Sequence, residues 1–109
     1  MSREFLDRHP LTTQQTLAEV AAHFGMTLGD LRPDSRQKTQ TAIRAIVAWT
    51  LRKRYEFSYP ELAFMLHQNH TTIMHNVRKL DAAIQAGEDS QIVRVAQRVL
   101  LGLVDRAAE

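Results

Sequence analysis

The sequence predicts an all-α fold, a compact bundle of five to six helices containing a helix-turn-helix. Three observations carry this. Apolar residues recur at three- and four-residue spacings along the chain, and no alternating strand pattern lasts beyond a few residues. Capping residues and glycines divide that rhythm into helix-sized lengths. A chain of 109 residues with a 44% hydrophobic fraction is enough for one modest core and not for two.

Taken in order, Thr12 or Thr13 can cap a first helix running to about His23, with Leu17, Val20 and Ala21 at core spacing. Residues 1–11 then form an N-terminal extension and 12–107 a single domain. Gly25 suits the left-handed position that ends the helix. Thr27 starts a short turn through Leu31, and Pro33 disfavours helix at Arg32. Ser35 is the expected cap of a long helix to about Tyr55, with Ile43, Ile46, Val47 and Leu51 as its stripe and Trp49 and the alanines widening the buried face. Arg52, Lys53 and Arg54 fall in its last turn, where cations complement the helix dipole or can meet DNA. Ser58 with Glu61 three residues on is a capping box, and Pro60 sits harmlessly in the first turn. That short helix reaches about His67, with Leu62, Met65 and Leu66 inward. Asn69 caps the next helix, which spans 69–86 and stops at Gly87. A last helix from about Asp89 to Ala107 places Ile92, Val95, Ala96, Val99, Leu100 and Leu103 at helical spacing.

Composition narrows the function classes. Without cysteine there is no disulfide framework and no thiolate metal site, which fits a reducing compartment. Apolar runs fall short of the ~18–20 residues of a membrane span, and the N-terminus lacks a signal-peptide core, so a cytoplasmic protein without membrane partner is expected. Net charge is only +2, but Arg32, Arg36, Lys38, Arg44, Arg52, Lys53 and Arg54 lie together in sequence against Asp34 alone. Such segregation suits either a solvated helix surface or a nucleic-acid face.

The stretch from Asn69 to His75, NHTTIMH, is the densest polar cluster. On a wheel with Ile73 at zero, Val77, Leu80 and Ile84 fall within about 40°, forming the buried stripe. Thr71, His75 and Arg78 fall roughly opposite, with Thr72 and Lys79 beside them and Asn69 and His70 on the exposed lip. An outward polar face at the start of the second helix of a helix-turn-helix is what major-groove readout requires. Threonine brings a hydroxyl and a methyl, histidine and asparagine bring donors and acceptors, and Arg78 and Lys79 can hold phosphates. A metal site from His67, His70 and His75 has no carboxylate or thiolate to complete it, and about 140° of wheel separates His70 from His75. Nucleophilic use of Thr71 or Thr72 lacks a base and an orienting group. No metal, cofactor or catalytic residue is therefore expected, and the threonines can equally be first-turn residues of a solvated helix.

The stretch SYPELAFMLHQNHTTIMHNVRKL resembles the C-terminal DNA-binding domain of the bacterial replication initiator DnaA family. The family pattern is an S-x-P-E-I helix, a glycine-rich turn and D-H-T-T-V-x-H-A-x-R-K-I. Ser58, Pro60, Glu61, Leu62, His70, Thr71, Thr72, Ile73, His75, Arg78, Lys79 and Leu80 match it, and TLAEVAAHFGMTLGDL upstream looks like the family's first helix. The likeness covers about residues 14–104. It implies a Trp-repressor-like helical fold and binding to double-stranded DNA. Pro60, Asn69, His70, Thr71, Thr72 and His75 would lie at the major groove. Arg36, Lys38, Arg44, Gln68, Arg78 and Lys79 would lie at the backbone or minor groove. Three departures stand out: Asn69 replaces the family's Asp, His67-Gln68 replaces a longer glycine-arginine turn, and DSRQKTQTAIR is less basic than the family's loop. They imply fewer phosphate contacts and an altered box preference.

These 109 residues hold no Gly-rich phosphate loop with Lys-Ser/Thr, so the expectation is a regulator of transcription or replication that acts by site occupancy. The alternative is a protein-interaction module that keeps the fold with weak or lost DNA binding. A protein partner or homodimer would use the C-terminal helix, through Val93, Leu101 or Val104.

Overall fold

The computed structural model describes the backbone of residues 3–32 and 35–108, and the side chains of residues 13–32 and 35–102. Its elements are α1 (Arg3–Ala22), a 3-10 turn (Leu28–Asp30), α2 (Lys38–Tyr55), α3 (Tyr59–Leu66), α4 (His70–Gln85) and α5 (Gln91–Ala108), with no strand among the described residues. The all-α expectation is met, with five α-helices and one 3-10 turn.

Helix α2 is the axle. It packs on α1, α3, α4 and α5, which is why its sequence is apolar over so wide an arc: Ile43, Ile46, Val47, Ala48 and Leu51 are fully buried and Trp49 nearly so. Val20 and Ala21 of α1, Leu62 and Leu66 of α3, and Ile73, Val77 and Leu80 of α4 close around it. A radius of gyration of 13.1 Å matches the ~13 Å of a compact chain near 100 residues.

Three helices end the same way. After α1, the Met26 N–H donates to the Ala21 carbonyl (2.9 Å) and Gly25 N–H to that of Ala22 (3.1 Å). The same pair of bonds follows α4, from Glu88 to Ala83 and from Gly87 to Ile84 (both 3.0 Å). Gly25 and Gly87 take φ +72° and +71°, the left-handed position where a Cβ is costly. After α3, the bonds run from Gln68 to Ala63 (3.0 Å) and from His67 to Phe64 (3.4 Å), but a histidine holds the left-handed place, with φ +53°.

Four expectations are corrected. Helix α1 begins at Arg3, not at a Thr12 or Thr13 cap. Thr13 is buried, and its hydroxyl donates to the Met65 sulfur at 3.2 Å, so it serves the α1–α3 contact instead. The side chains of residues 3–12, on which a separate extension would rest, lie outside the described residues. Helix α2 starts at Lys38 behind Gln37, whereas Ser35 Oγ accepts from the Gln37 N–H (3.2 Å) in the loop before it. In α5, Val93 is buried and Ile92 is 38% exposed. The wheel gives an angle but not where the covering helices end. Val93 is thus core and unavailable to a partner; Leu101 is exposed at 63%, and Leu103 and Val104 lie outside the described side chains.

Candidate nucleic-acid interface

Helices α3 and α4 are joined by His67, Gln68 and Asn69, so the chain turns within three residues. The α3 entrance is fixed by its capping box: Glu61 N–H donates to Ser58 Oγ (3.2 Å) and Ser58 N–H to Glu61 Oε1 (3.0 Å). At the α4 entrance, Asn69 Oδ1 accepts from the Thr71 N–H at 2.8 Å, meeting one of the amides a helix start leaves unpaired.

The two entrances meet through Tyr59. Its ring lies 6.1 Å from the His70 imidazole at an interplanar angle of 29°, and the Arg52 guanidinium carbon sits 4.0 Å from its centroid. Arg52 Nη1 also donates to the Phe57 carbonyl (3.0 Å). The last turn of α2, the first turn of α3 and the first turn of α4 thus share one aromatic contact, with a cation–π attraction of ~0.5–1 kcal/mol at a partly exposed site.

Further along α4, Asp81 binds three neighbours. Its Oδ1 accepts from Trp49 Nε1 (3.2 Å) and pairs with Lys53 Nζ (3.0 Å), and its Oδ2 accepts from Gln85 Nε2 (3.0 Å). Hydrogen bonding from Lys53, then from Trp49, holds the Asp81 carboxyl below the usual aspartate range against a smaller effect of burial. This cluster pins α4 to α2.

Of the residues expected at DNA, Pro60, Asn69, His70, Thr71, Thr72, His75, Arg78 and Lys79 are all exposed and come from the α3–α4 unit, and Gln68 is half-buried in its turn. Arg36 and Lys38 are exposed on the approach to α2. Lys38 and Arg52 stand 14 residues apart on that helix, about 21 Å along its axis at 1.5 Å per residue. The loop cations therefore form a second patch.

Arg44 departs from expectation. It is buried at 8% exposure, its Nη1 donates to the Arg32 carbonyl (3.0 Å) and its Nη2 to that of Ser35. Gln40, also buried, accepts from Arg32 N–H (2.7 Å) and donates to the Asp30 carbonyl (3.2 Å). Both side chains hold the loop from below, so Arg44 positions the loop and does not reach outward to a phosphate. The Arg52–Arg54 triplet is likewise engaged: Arg52 on Tyr59, Lys53 on Asp81, and Arg54 5.2 Å from the Tyr55 ring centroid.

Sequence reasoning missed Tyr59, Arg52 and Asp81 as parts of this frame. Apart from Phe57 and Gln85, their partners lie 7 to 32 residues away, beyond any local spacing rule. Among the described residues no three His, Asp or Glu side chains gather as a metal site, and no helix is long and apolar enough to cross a membrane.

The profile of the family described as bacterial dnaA protein helix-turn-helix matches residues 13–80, from the buried face of α1 through the last buried leucine of α4. Individual relatives agree. The chain is 28% identical over 98 residues to a chromosomal replication initiator protein DnaA from Pelobacter propionicus, covering 89% of this chain and 21% of that one. It is 34% identical over 80 residues to the same protein from Citrifermentans bemidjiense (72% and 17%) and 34% over 84 residues to that of Cutibacterium acnes (76% and 16%). The chain spans about a fifth of the length of the curated relatives it matches.

Proposed function

This chain belongs to the bacterial DnaA helix-turn-helix family, and on that premise we propose that it is a sequence-specific double-stranded DNA-binding module that regulates replication or transcription by occupying its site. In this reading α4 enters the major groove. Asn69, His70, Thr71, Thr72 and His75 meet base edges, with Pro60 beside them, and Arg78, Lys79, Arg36 and Lys38 meet phosphates. Its work is binding and not catalysis. The relatives are chromosomal replication initiators, which makes control of replication initiation the natural setting.

The observation that carries the proposal is the contrast at the α4 entrance. The helix start is fixed by the Asn69 cap and the Tyr59–His70 ring contact, while the outward hydroxyls of Thr71 and Thr72 have no hydrogen-bond partner among the described residues. Rigid placement of free polar groups is what base readout needs. The alternative, a protein-interaction module with weak DNA binding, draws on the engagement of Arg44 and Lys53 within the fold.

Selection from random duplexes, followed by binding across salt concentration, separates the two. About four phosphate contacts give a slope of log affinity against log salt near −3.6, at roughly −0.9 per contact. Thr71→Ala and His70→Ala should weaken binding to the selected site more than to random DNA. No enriched sequence and a flat salt response would defeat the DNA-binding proposal and favour the alternative.

A further inference from the structure

We propose that Tyr59 is a positioning residue for DNA reading, setting the imidazole plane of His70 from a ring that Arg52 anchors to the core. The proposal deepens the DNA-binding function given above and rests on it. Tyr59 fills the x of the S-x-P-E pattern, a position to which the resemblance gives no role. The geometry gives it one. Its half-buried ring lies where α2, α3 and α4 meet, with the exposed His70 ring 6.1 Å away and inclined by 29°.

A chain of supports stands behind this stack. Phe57 is 4% exposed, and its carbonyl accepts from Arg52 Nη1 at 3.0 Å. The guanidinium so held sits 4.0 Å from the Tyr59 centroid. Tyr59 in turn meets His70, the first residue of α4. A surface histidine otherwise turns freely about its last torsion, whose preference is broad. Restricting that torsion before DNA arrives spares the ordering that binding must otherwise supply. The restriction acts on direction. An imidazole presents its two nitrogens only in its own plane, so fixing the plane fixes where a hydrogen bond can form. Tyr59 therefore acts through His70 and needs no contact of its own with a base.

The test measures affinity for a duplex enriched from a random pool and for a random-sequence duplex, with thermal melting to verify the fold of each variant. Tyr59→Phe keeps the ring and should keep the ratio of the two affinities. Tyr59→Leu keeps apolar bulk without the ring and should lower that ratio roughly two- to tenfold, the range an aromatic pair supports. Combined with His70→Ala, Tyr59→Leu should lower it no further, because the two side chains act as one unit. Arg52→Lys keeps the charge and loses the flat guanidinium. It should lower the ratio part of the way with the salt slope unchanged, and it carries the comparison should Tyr59→Leu fail to fold. A readout without DNA is the NMR resonance of the His70 ring protons, which should move in Tyr59→Leu and stay in Tyr59→Phe. An equal cost of Tyr59→Leu with His70 present or replaced, equal weakening on both duplexes, or an unmoved His70 resonance would overturn the proposal and leave the DNA-binding function standing. A chain that enriches no duplex from the pool would overturn both.

Discussion

Replacing Asp81 by Ala should lower stability by about 2 kcal/mol, and each part of that figure traces to one partner. Trp49 is 4% exposed, so deleting the acceptor for its indole N–H leaves a buried donor unpaired, at about 1–3 kcal/mol. The Lys53 pair is worth less than about 1 kcal/mol, because its side chains are 45% and 31% exposed. The Gln85 contact, four residues along α4, adds about 0.3 kcal/mol. At about 4–8 °C per kcal/mol for a domain of this size, Tm should fall by roughly 10 °C. Asp81→Asn keeps an acceptor oxygen for Trp49 and removes the charge, so its loss should stay below about 1 kcal/mol. Trp49 is the sole tryptophan, so its fluorescence follows the same contact through the melt. The pH response has a definite sign. The folded carboxyl titrates below its unfolded value, near 3.9 for a free aspartate. Its contribution is therefore complete above that value and is lost as pH falls through the folded one. The stability gap between the unchanged chain and Asp81→Asn should close over that acid range and stay constant near neutrality. Equal losses for the Ala and Asn variants, or a Tm change under about 2 °C for Ala, would refute the assignment of Asp81 as the tie between α4 and α2.

Two further variants test the turn and the loop. His67→Gly should raise stability by about 0.5–1 kcal/mol in denaturant melts, because a left-handed residue with a Cβ costs about 1–2 kcal/mol and glycine returns part of that gain as backbone entropy. Arg44→Met should lower Tm and weaken binding to a selected duplex, since two carbonyls of the loop that presents Arg36 lose charge-assisted bonds worth about 1.5–3 kcal/mol. Unchanged melting would place Arg44 outside the loop support.

What could be read in the sequence was what depends on near neighbours. The Ser58–Glu61 box, the Asn69 cap, and Gly25 and Gly87 at helix ends each need only residues within a turn, and all form as expected. The stripes Ile43–Leu51 and Ile73–Leu80 were legible because periodicity alone decides which side of a helix is buried. The failures share a cause. Thr13 has the right chemistry for a cap, but its hydroxyl meets Met65, 52 residues away. Arg44 belongs to a basic run, and a charge run does not say which cation will find loop carbonyls 9 and 12 residues back. Ile92 and Val93 are both apolar near the start of α5, and only the neighbouring helices decide which is covered.

The distribution of cations bears on how this domain would discriminate among DNA sites. Arg44, Arg52 and Lys53 lie in the basic run, yet each is engaged within the fold, on loop carbonyls, Tyr59 and Asp81 respectively. Arg36, Lys38, Arg78 and Lys79 are exposed without such a tie among the described residues. Affinity for any duplex scales with the phosphates neutralised, whereas discrimination comes from groups that meet base edges. A domain that engages cations internally to brace its reading helix loses attraction to all DNA alike and keeps the placement of Asn69, Thr71 and Thr72. The proposed function therefore carries a quantitative expectation: non-specific binding should be weak and fall with a shallow salt slope, and the ratio of specific to non-specific affinity should fall when Asp81 or Tyr59 is removed, because the frame and not the charge sets that ratio.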